Sequence, residues 1–462
     1  MEKFFKLKEN GTNVRTEFMA GLTTFFAMVY ILMVNAGMFT ATGVSYGAIY
    51  IATAISAVIG TVLIGLLSNL PLAQASGMGL NAFFVYTMCL GFGFTYANAL
   101  VLVLIDGIVF IILTVTGLRK MIFNAIPQPV RMAIPAGIGL FIAFLGLQNS
   151  KIIINDASTC VGLASFNIFK ENAWATIMPM LVTVLAVLAI AVMSKRNVRG
   201  AVLWGIIGGA VLYYLLGLTV PGFYSSLGIT MDSPIEAFKQ FGSEAFGKVF
   251  TEGFDFSAYA EAHGTSNLIL TIVTSSLAFC MVDMFDTIGT LYGACARGNM
   301  LTAEGEVPNM DRAMLADAIA TTTGAICGTS TVTTFVESSA GVAEGGRTGL
   351  SSMFTALFFF ISMFLSPIAQ LVPSCATAAA LIYVGVLMMA CVRDIDWHDT
   401  SIAVPSFLTM AMMPFAYNIS YGIAFGLISY VVIKVFSGHA KEVKAGTWVI
   451  MALFLAMLLL TH

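Results

Sequence analysis

Residues 18–105 contain no Asp, Glu, Lys, Arg or His, a run of 88 residues without a formal charge. A helix needs about 20 apolar residues to cross a bilayer, so this run has room for several crossings. Further charge-free stretches cover 200–231, 348–392 and 400–433. Of the 462 residues, 58% are hydrophobic and 10% charged, against about 25% charged in an average soluble domain. The pattern is that of an all-α polytopic membrane protein. It excludes a soluble enzyme, a disordered chain and a nucleic-acid binder, which would need a basic face. A β-barrel is excluded too, since its strands would alternate polar and apolar over about ten residues.

Charges and Pro/Gly breaks divide the apolar sequence into fourteen expected spans. The first seven cover about 18–39, 46–68, 73–90, 96–118, 132–149, 172–194 and 200–220. The second seven cover about 264–287, 313–328, 335–346, 350–371, 375–392, 400–416 and 419–437. A further apolar run at 446–461 is expected to lie at the membrane interface. Cytoplasmic loops of membrane proteins are enriched in Lys and Arg. With a cytoplasmic N-terminus, 17 of the 21 basic residues fall on that side, and only Lys151, Lys170, Lys239 and Lys248 fall opposite. Lys3, Arg119, Lys120 and Arg131 belong to the cytoplasmic group. The expected organisation is a cytoplasmic segment 1–17, a seven-span repeat 18–220, an extracytoplasmic linker 221–263, a second repeat 264–437 and a C-terminal segment 438–462. None of the seven Cys forms a CxxC pair, and the four His, His462 among them, lie outside the expected spans. No metal or other cofactor is expected.

An odd number of spans per half starts the second half from the opposite side, the inverted-repeat plan of many transporters. The third span of each half is unusual. Residues 73–90 begin LPLAQASGMGLNAFF, and 329–346 read TSTVTTFVESSAGVAEGG. Both are short, glycine-broken and polar at one end, and the Thr/Val-rich 329–335 favours a strand. Interrupted hydrophobic segments at matching places in two halves point to a binding site. The expectation is two extended pieces that meet, each leading into a half-helix in spans 3 and 10.

Charges inside spans are functional by default. Here they are Asp106, Asp283, Asp286, Asp317, Glu337 and Glu344, with Arg347 the sole base nearby. Such a site lacks a built-in cationic partner, so protons or a cation must supply the compensation. Asp283 and Asp286 are three apart on a helix and so lie near one face. Two like charges that close resist double ionisation, which suits a proton carrier. Helix capping or interhelix bonding is the competing role. Glu337, between TSTVTTF and SSAGVAEGG, is placed to accept a parallel pair of N–H donors from a planar ligand, or to stabilise a helix start. Asn81, in the matching element, offers a donor and an acceptor. Phe83 and Phe335 are candidates to stack on a flat ring, and Thr24 and Thr334 to complete a polar site.

Four motifs carry a family resemblance: AGLTTFFAMVYILMVN (20–35), GMGLNAFF (77–84), DMFDTIGTL (283–291) and LADAIATTTGAICGTSTVTTFVESSAGVAEGGRTGL (315–350). The chain resembles the nucleobase:cation symporter-2 superfamily, in its azaguanine-like branch of hypoxanthine, guanine and adenine permeases. The resemblance covers nearly the whole chain. It implies fourteen spans in two inverted sevens, a core and a gate domain, and proton-coupled import of a purine nucleobase across the cell membrane. It carries site roles onto Asn81, Asp283 and Glu337, with Asp286 a helper, and it implies a homodimer through the gate. The chain departs from the usual pattern at Gln74-Ala75-Ser76, where a Pro is usual, and at Asn35-Ala36, where Asn-Pro is usual.

An inorganic-anion exchanger or channel on the same architecture is the competing function, but its site should favour Arg, Lys or bare helix N-termini over carboxylates. A membrane-embedded enzyme is disfavoured because no HExxH or GxSxG occurs.

Overall fold

The computed structural model describes residues 2–117, 125–169, 173–226, 232–302 and 306–460. Lys3, Arg119, Lys120, Lys170 and His462, which entered the sequence reading, lie outside the residues whose side chains are described. The chain is mainly helical. The first half comprises α1 (Val14–Met28), α2 (Tyr30–Phe39), α3 (Tyr46–Ser68), β1 (Gln74–Ser76), α4 (Met78–Ala82), α5 (Tyr96–Val115), α6 (Gln128–Asn149), β2 (Ile153–Asp156), β3 (Cys160–Leu163), α7 (Ala173–Lys195) and α8 (Ala201–Gly217). Helix α4 runs on as a wider π-helical stretch, Phe83–Gly91. The second half comprises α9 (Thr265–Arg297), α10 (Met310–Cys327), β4 (Val332–Thr334), α11 (Ser338–Ala343), α12 (Gly349–Ser362), α13 (Ser374–Met388), α14 (Thr400–Phe415), α15 (Ile419–Phe436) and α16 (Ala445–Leu460). Between the halves, short helices cover Phe223–Ser226, Pro234–Gln240, Lys248–Thr251 and Ser257–His263.

Among the described residues, nine helical segments are long and apolar enough to cross a membrane, and four further apolar helices are shorter. Several expected bounds hold closely: 46–68 is α3, and 419–437 is α15. Others move for local reasons. Helix α1 begins at Val14 because the Asn13 side chain caps it, accepting from the Thr16 N–H at 3.0 Å; caps of this kind stabilise a helix start. Helix α9 continues to Arg297, past the expected end at 287, through Gly289 and Gly293. The polar sequence after Asn149 forms a hairpin, β2 with β3, rather than irregular loop. In its turn, the Ser158 hydroxyl and the N–H groups of Ser158 and Thr159 hold the Asp156 carboxyl down, to about 2. Helix α16 docks on α15 and α9 and buries Phe454 and Met457.

The helices sort by packing into two sets. In one, α10 packs on α3 and α5, and α12 packs on α1 and α3. In the other, α6 packs on α13 and α14, α14 on α15, and α7 on α8 and α13. Strands β1 and β4 lie within the first set, against α3, α9 and α10.

Small residues bring the second half-helix close to its support. A Cβ on Gly341 of α11 would lie 2.1 Å from Thr24 Oγ1 and 2.5 Å from the Ala20 carbonyl of α1. Overpacking of this kind costs about 1–3 kcal/mol. Gly341→Val is therefore expected to lower the apparent melting temperature of the purified protein, with Gly341→Ala milder. Equal melting of Gly341→Val and wild type would show that the two helices are not packed this tightly.

Candidate functional site

The site is built on two three-residue strands. Strands β1 and β4 pair antiparallel, with Gln74 opposite Thr334, Ala75 opposite Thr333 and Ser76 opposite Val332. All six residues are buried. Non-helical backbone survives at such depth only where every N–H and C=O finds a partner. The pairing extends at both ends, with Gly77 N–H donating to the Thr331 carbonyl and Phe335 N–H to that of Ala73, each at 3.0 Å. The outer edges are closed by two threonines. Thr61 of α3 accepts from Gln74 N–H at 3.0 Å and donates to the Gln74 carbonyl at 3.1 Å. Thr321 of α10 does the same for Val332, at 3.3 and 3.2 Å. One hydroxyl from α3 in the first half and one from α10 in the second thus replace the missing neighbour strands.

A cavity of about 70 Å³ opens where the strands turn into the half-helices. Its polar side chains come from Tyr30, Asp286, Thr290 and Glu337, and Phe335 supplies an aromatic face. Gly77, Met78 and Gly79 bring the first turn of α4, whose N–H groups have no partner inside the helix. Val384 and Met388 close it from α13, so the cavity lies between the two helix sets. None of its lining residues is basic. Glu337 is half-buried, and its Oε1 accepts from the buried Tyr30 hydroxyl at 2.7 Å. Asp286 Oδ2 accepts from Thr333 at 3.4 Å.

The structure separates the residues that the sequence singled out. Glu337, Asp286 and Phe335 face the cavity, and Thr334 lines it while its hydroxyl turns away to Asp317 and Gln74. Asn81 sits deeper: its Oδ1 accepts from Ser330 at 2.6 Å, and its amide donates to the Ser76 carbonyl at 3.3 Å, so it ties the two strand segments together. Phe83 is fully buried against Phe279, with ring centroids 4.7 Å apart. Thr24 is buried under α11. Asp283 lies behind β4, where its Oδ2 is 3.1 Å from the Thr321 hydroxyl.

Three features were not legible as site residues. Tyr30 lies inside AGLTTFFAMVYILMVN, where its hydroxyl was the one sign of a polar task. Gln74, at the departure from the usual Pro, donates to Asp317 at 2.8 Å, and Thr287 donates to the other Asp317 oxygen at 2.8 Å. Glu17 marked only the edge of the charge-free run. It is fully buried and accepts from the N–H groups of Arg347 and Ser351, at 2.9 and 3.1 Å, and from the Ser351 hydroxyl. It thereby pins the loop after α11 to α1.

The sequence pattern of the permease family matches residues 15–425. The chain belongs to the nucleobase:cation symporter-2 family. It is a multi-pass membrane permease and not an enzyme. It is 37% identical to the guanine/hypoxanthine permease PbuO of Bacillus subtilis, over 98% of this chain and 99% of that protein. It is 35% identical to the adenine permease AdeP of Escherichia coli, over 98% of this chain and 95% of that one. In fold it is similar to the transmembrane domain of the cyanobacterium bicarbonate transporter BicA, with TM-score 0.60 and 16% identity over 91% of this chain and 97% of that one. The murine Slc26a9 anion transporter gives TM-score 0.62 at 12% identity, over 91% of this chain and 68% of that one. These last two likenesses concern fold alone.

In this permease the Glu17 anchor is open to a direct check. Glu17→Ala leaves buried donors without an acceptor, which costs about 1–3 kcal/mol. A clear drop in apparent melting temperature is expected, whereas Glu17→Gln, which keeps one acceptor, should fall between. A melting curve for Glu17→Ala that overlays wild type would remove the anchoring role.

Proposed function

We propose that this permease imports a purine nucleobase together with a proton by alternating access. The observation that carries this reading is the pairing of two carboxyls, Asp286 and Glu337, with the Phe335 ring in a cavity lined by no basic residue. A purine is flat and carries N–H donors on its edge. The Glu337 carboxylate is suited to accept a parallel pair of them, with Tyr30 holding Oε1 in place. Phe335 is suited to stack on the ring. Asp286 contacts the remaining edge, while the Thr334 hydroxyl is held by Asp317 and Gln74. Asn81, Phe83, Thr24 and Asp283 act from behind, because they are buried outside the cavity lining. The names of the relatives, guanine/hypoxanthine permease and adenine permease, support the substrate class.

Two carboxyls facing one small cavity repel each other when both are charged. A proton shared among Asp283, Asp286 and Glu337 relieves this and supplies the coupling ion, with no other cofactor. In this reading the chain has fourteen spans in two inverted sevens, 18–220 and 264–437, separated by the extracytoplasmic linker 221–263. The short segment 1–17 and the C-terminal segment 438–462 are cytoplasmic, and the protein sits in the cell (inner or plasma) membrane. The helix set around the strands is the core. The set around α6, α13 and α14 is the gate, through which two copies assemble. Movement of the core against the gate would expose the cavity to each side in turn. An anion exchanger fits the cavity poorly, since two carboxyls would repel its substrate.

The test is uptake of labelled hypoxanthine into proteoliposomes with an acidic exterior, in competition with guanine, adenine, xanthine and uracil. Purines are expected to compete, and sulfate and bicarbonate are not. Removing a charge-assisted hydrogen-bond acceptor costs about 2 kcal/mol, so Glu337→Gln is expected to lose uptake roughly thirtyfold. Uptake that survives this substitution unchanged, or that yields to bicarbonate and not to purines, would contradict the reading.

A further inference from the structure

Asp106 stands midway along α5 and is fully buried. Neither of its oxygens meets a hydrogen-bond donor in good geometry. The other buried acids differ. Asp317 accepts from Gln74, Thr287 and Thr334, and one Asp283 oxygen lies 3.1 Å from the Thr321 hydroxyl. The second Asp283 oxygen is unpartnered, like both of Asp106.

The neighbours of Asp106 explain why this matters. Helix α5 packs on α10, which brings Asp317, and on α9, which brings Cys280 and Asp283. The Cys280 thiol beside it is at best a weak donor. The short helix Lys248–Thr251 also packs on α5, but Lys248 pairs with Glu252. The π-helical stretch Phe83–Gly91 brings Cys89 against Tyr96, at the other end of α5. No cationic side chain therefore reaches Asp106 among the described residues. A charge left unpaired in a low-dielectric interior is costly by several kcal/mol, and three facing carboxyls compound that cost.

Strand β4 divides this group from the cavity. Neighbouring side chains on a strand point to opposite sides. Thr333 reaches Asp286 at 3.4 Å in front, while Thr334 reaches Asp317 at 3.3 Å behind. We infer that Asp106 holds a proton as the outlying member of a buried carboxyl triad with Asp283 and Asp317, and that this triad stores the coupling proton behind the strand pair while the cavity binds substrate. The inference rests on the proton-symport reading above. It adds a residue on α5, outside the cavity, and separates the storage of the proton from the binding of the base.

The experiment compares wild type, Asp106→Asn and Asp106→Glu in proteoliposomes. A gradient of about one pH unit supports a roughly tenfold accumulation at one proton per purine. Wild type and Asp106→Glu are expected to accumulate purine. Asp106→Asn is expected to fall to a ratio of about one, while purine binding and purine–purine exchange persist. Accumulation by Asp106→Asn at the wild-type ratio, with the wild-type pH profile, would overturn the inference and leave proton symport standing. No pH-driven accumulation by wild type would overturn both. Should Asp106→Asn fail to fold, infrared spectroscopy of wild type with isotope-labelled aspartate carboxyls decides. A protonated-carboxyl band that persists above neutral pH supports the triad, and its absence overturns it.

Discussion

The rest of the structure depends on keeping two short pieces of extended backbone inside an apolar protein. Helices satisfy their own hydrogen bonds, and strands do not. Here β1 and β4 satisfy each other on one edge, while on the outer edges Thr61 satisfies Gln74 and Thr321 satisfies Val332. The reciprocity is chemical as well as geometric, because each threonine comes from the second expected span of its half and both accepts and donates. That pattern is what two related halves of opposite orientation would produce. It supports the inverted-repeat reading more directly than any sequence match between the halves.

Once the strands are held, the chemistry follows from their alternation. Thr333 and Thr334 are adjacent, and their hydroxyls serve acids on opposite sides. One side is the cavity with Asp286, Glu337 and Tyr30. The other is a buried group of acids on α5, α9 and α10, which Gln74 reaches from β1. The half-helices then bring glycine-rich turns to the cavity, and α13 closes it from the second helix set. A cavity walled by both sets is sensitive to any movement of one against the other, which is how alternating access would gate it.

Much of this was legible in the sequence. The charge-free runs located the helices, and α3 follows its apolar run from end to end. The β-branched 329–335 announced β4, and Glu337 stood out as an acid at a break in a span. Gln74–Ser76 was expected as an extended piece only from its place opposite 329–335 in the repeat, because its strand character comes from pairing with β4 and not from its own residues. The division of labour between Asp283 and Asp286 was out of reach. At 3.6 residues per turn, positions three apart diverge by about 60°, enough to place one behind a strand and the other on a cavity. Tyr30, Glu17 and Asp106 depended wholly on partners distant in sequence: Glu337, Ser351 and Asp317. An isolated acid or phenol in an apolar run signals a task without naming its partner.

The central claim is that a purine binds at the turn of the strand pair, between Glu337, Asp286 and Phe335. An experimental structure of the protein with bound hypoxanthine or adenine tests it most directly. The account predicts density for the ring stacked on Phe335, with its N–H edge on the Glu337 carboxylate and Tyr30 still bonded to that group. A base seated elsewhere, with Glu337 untouched, would contradict it.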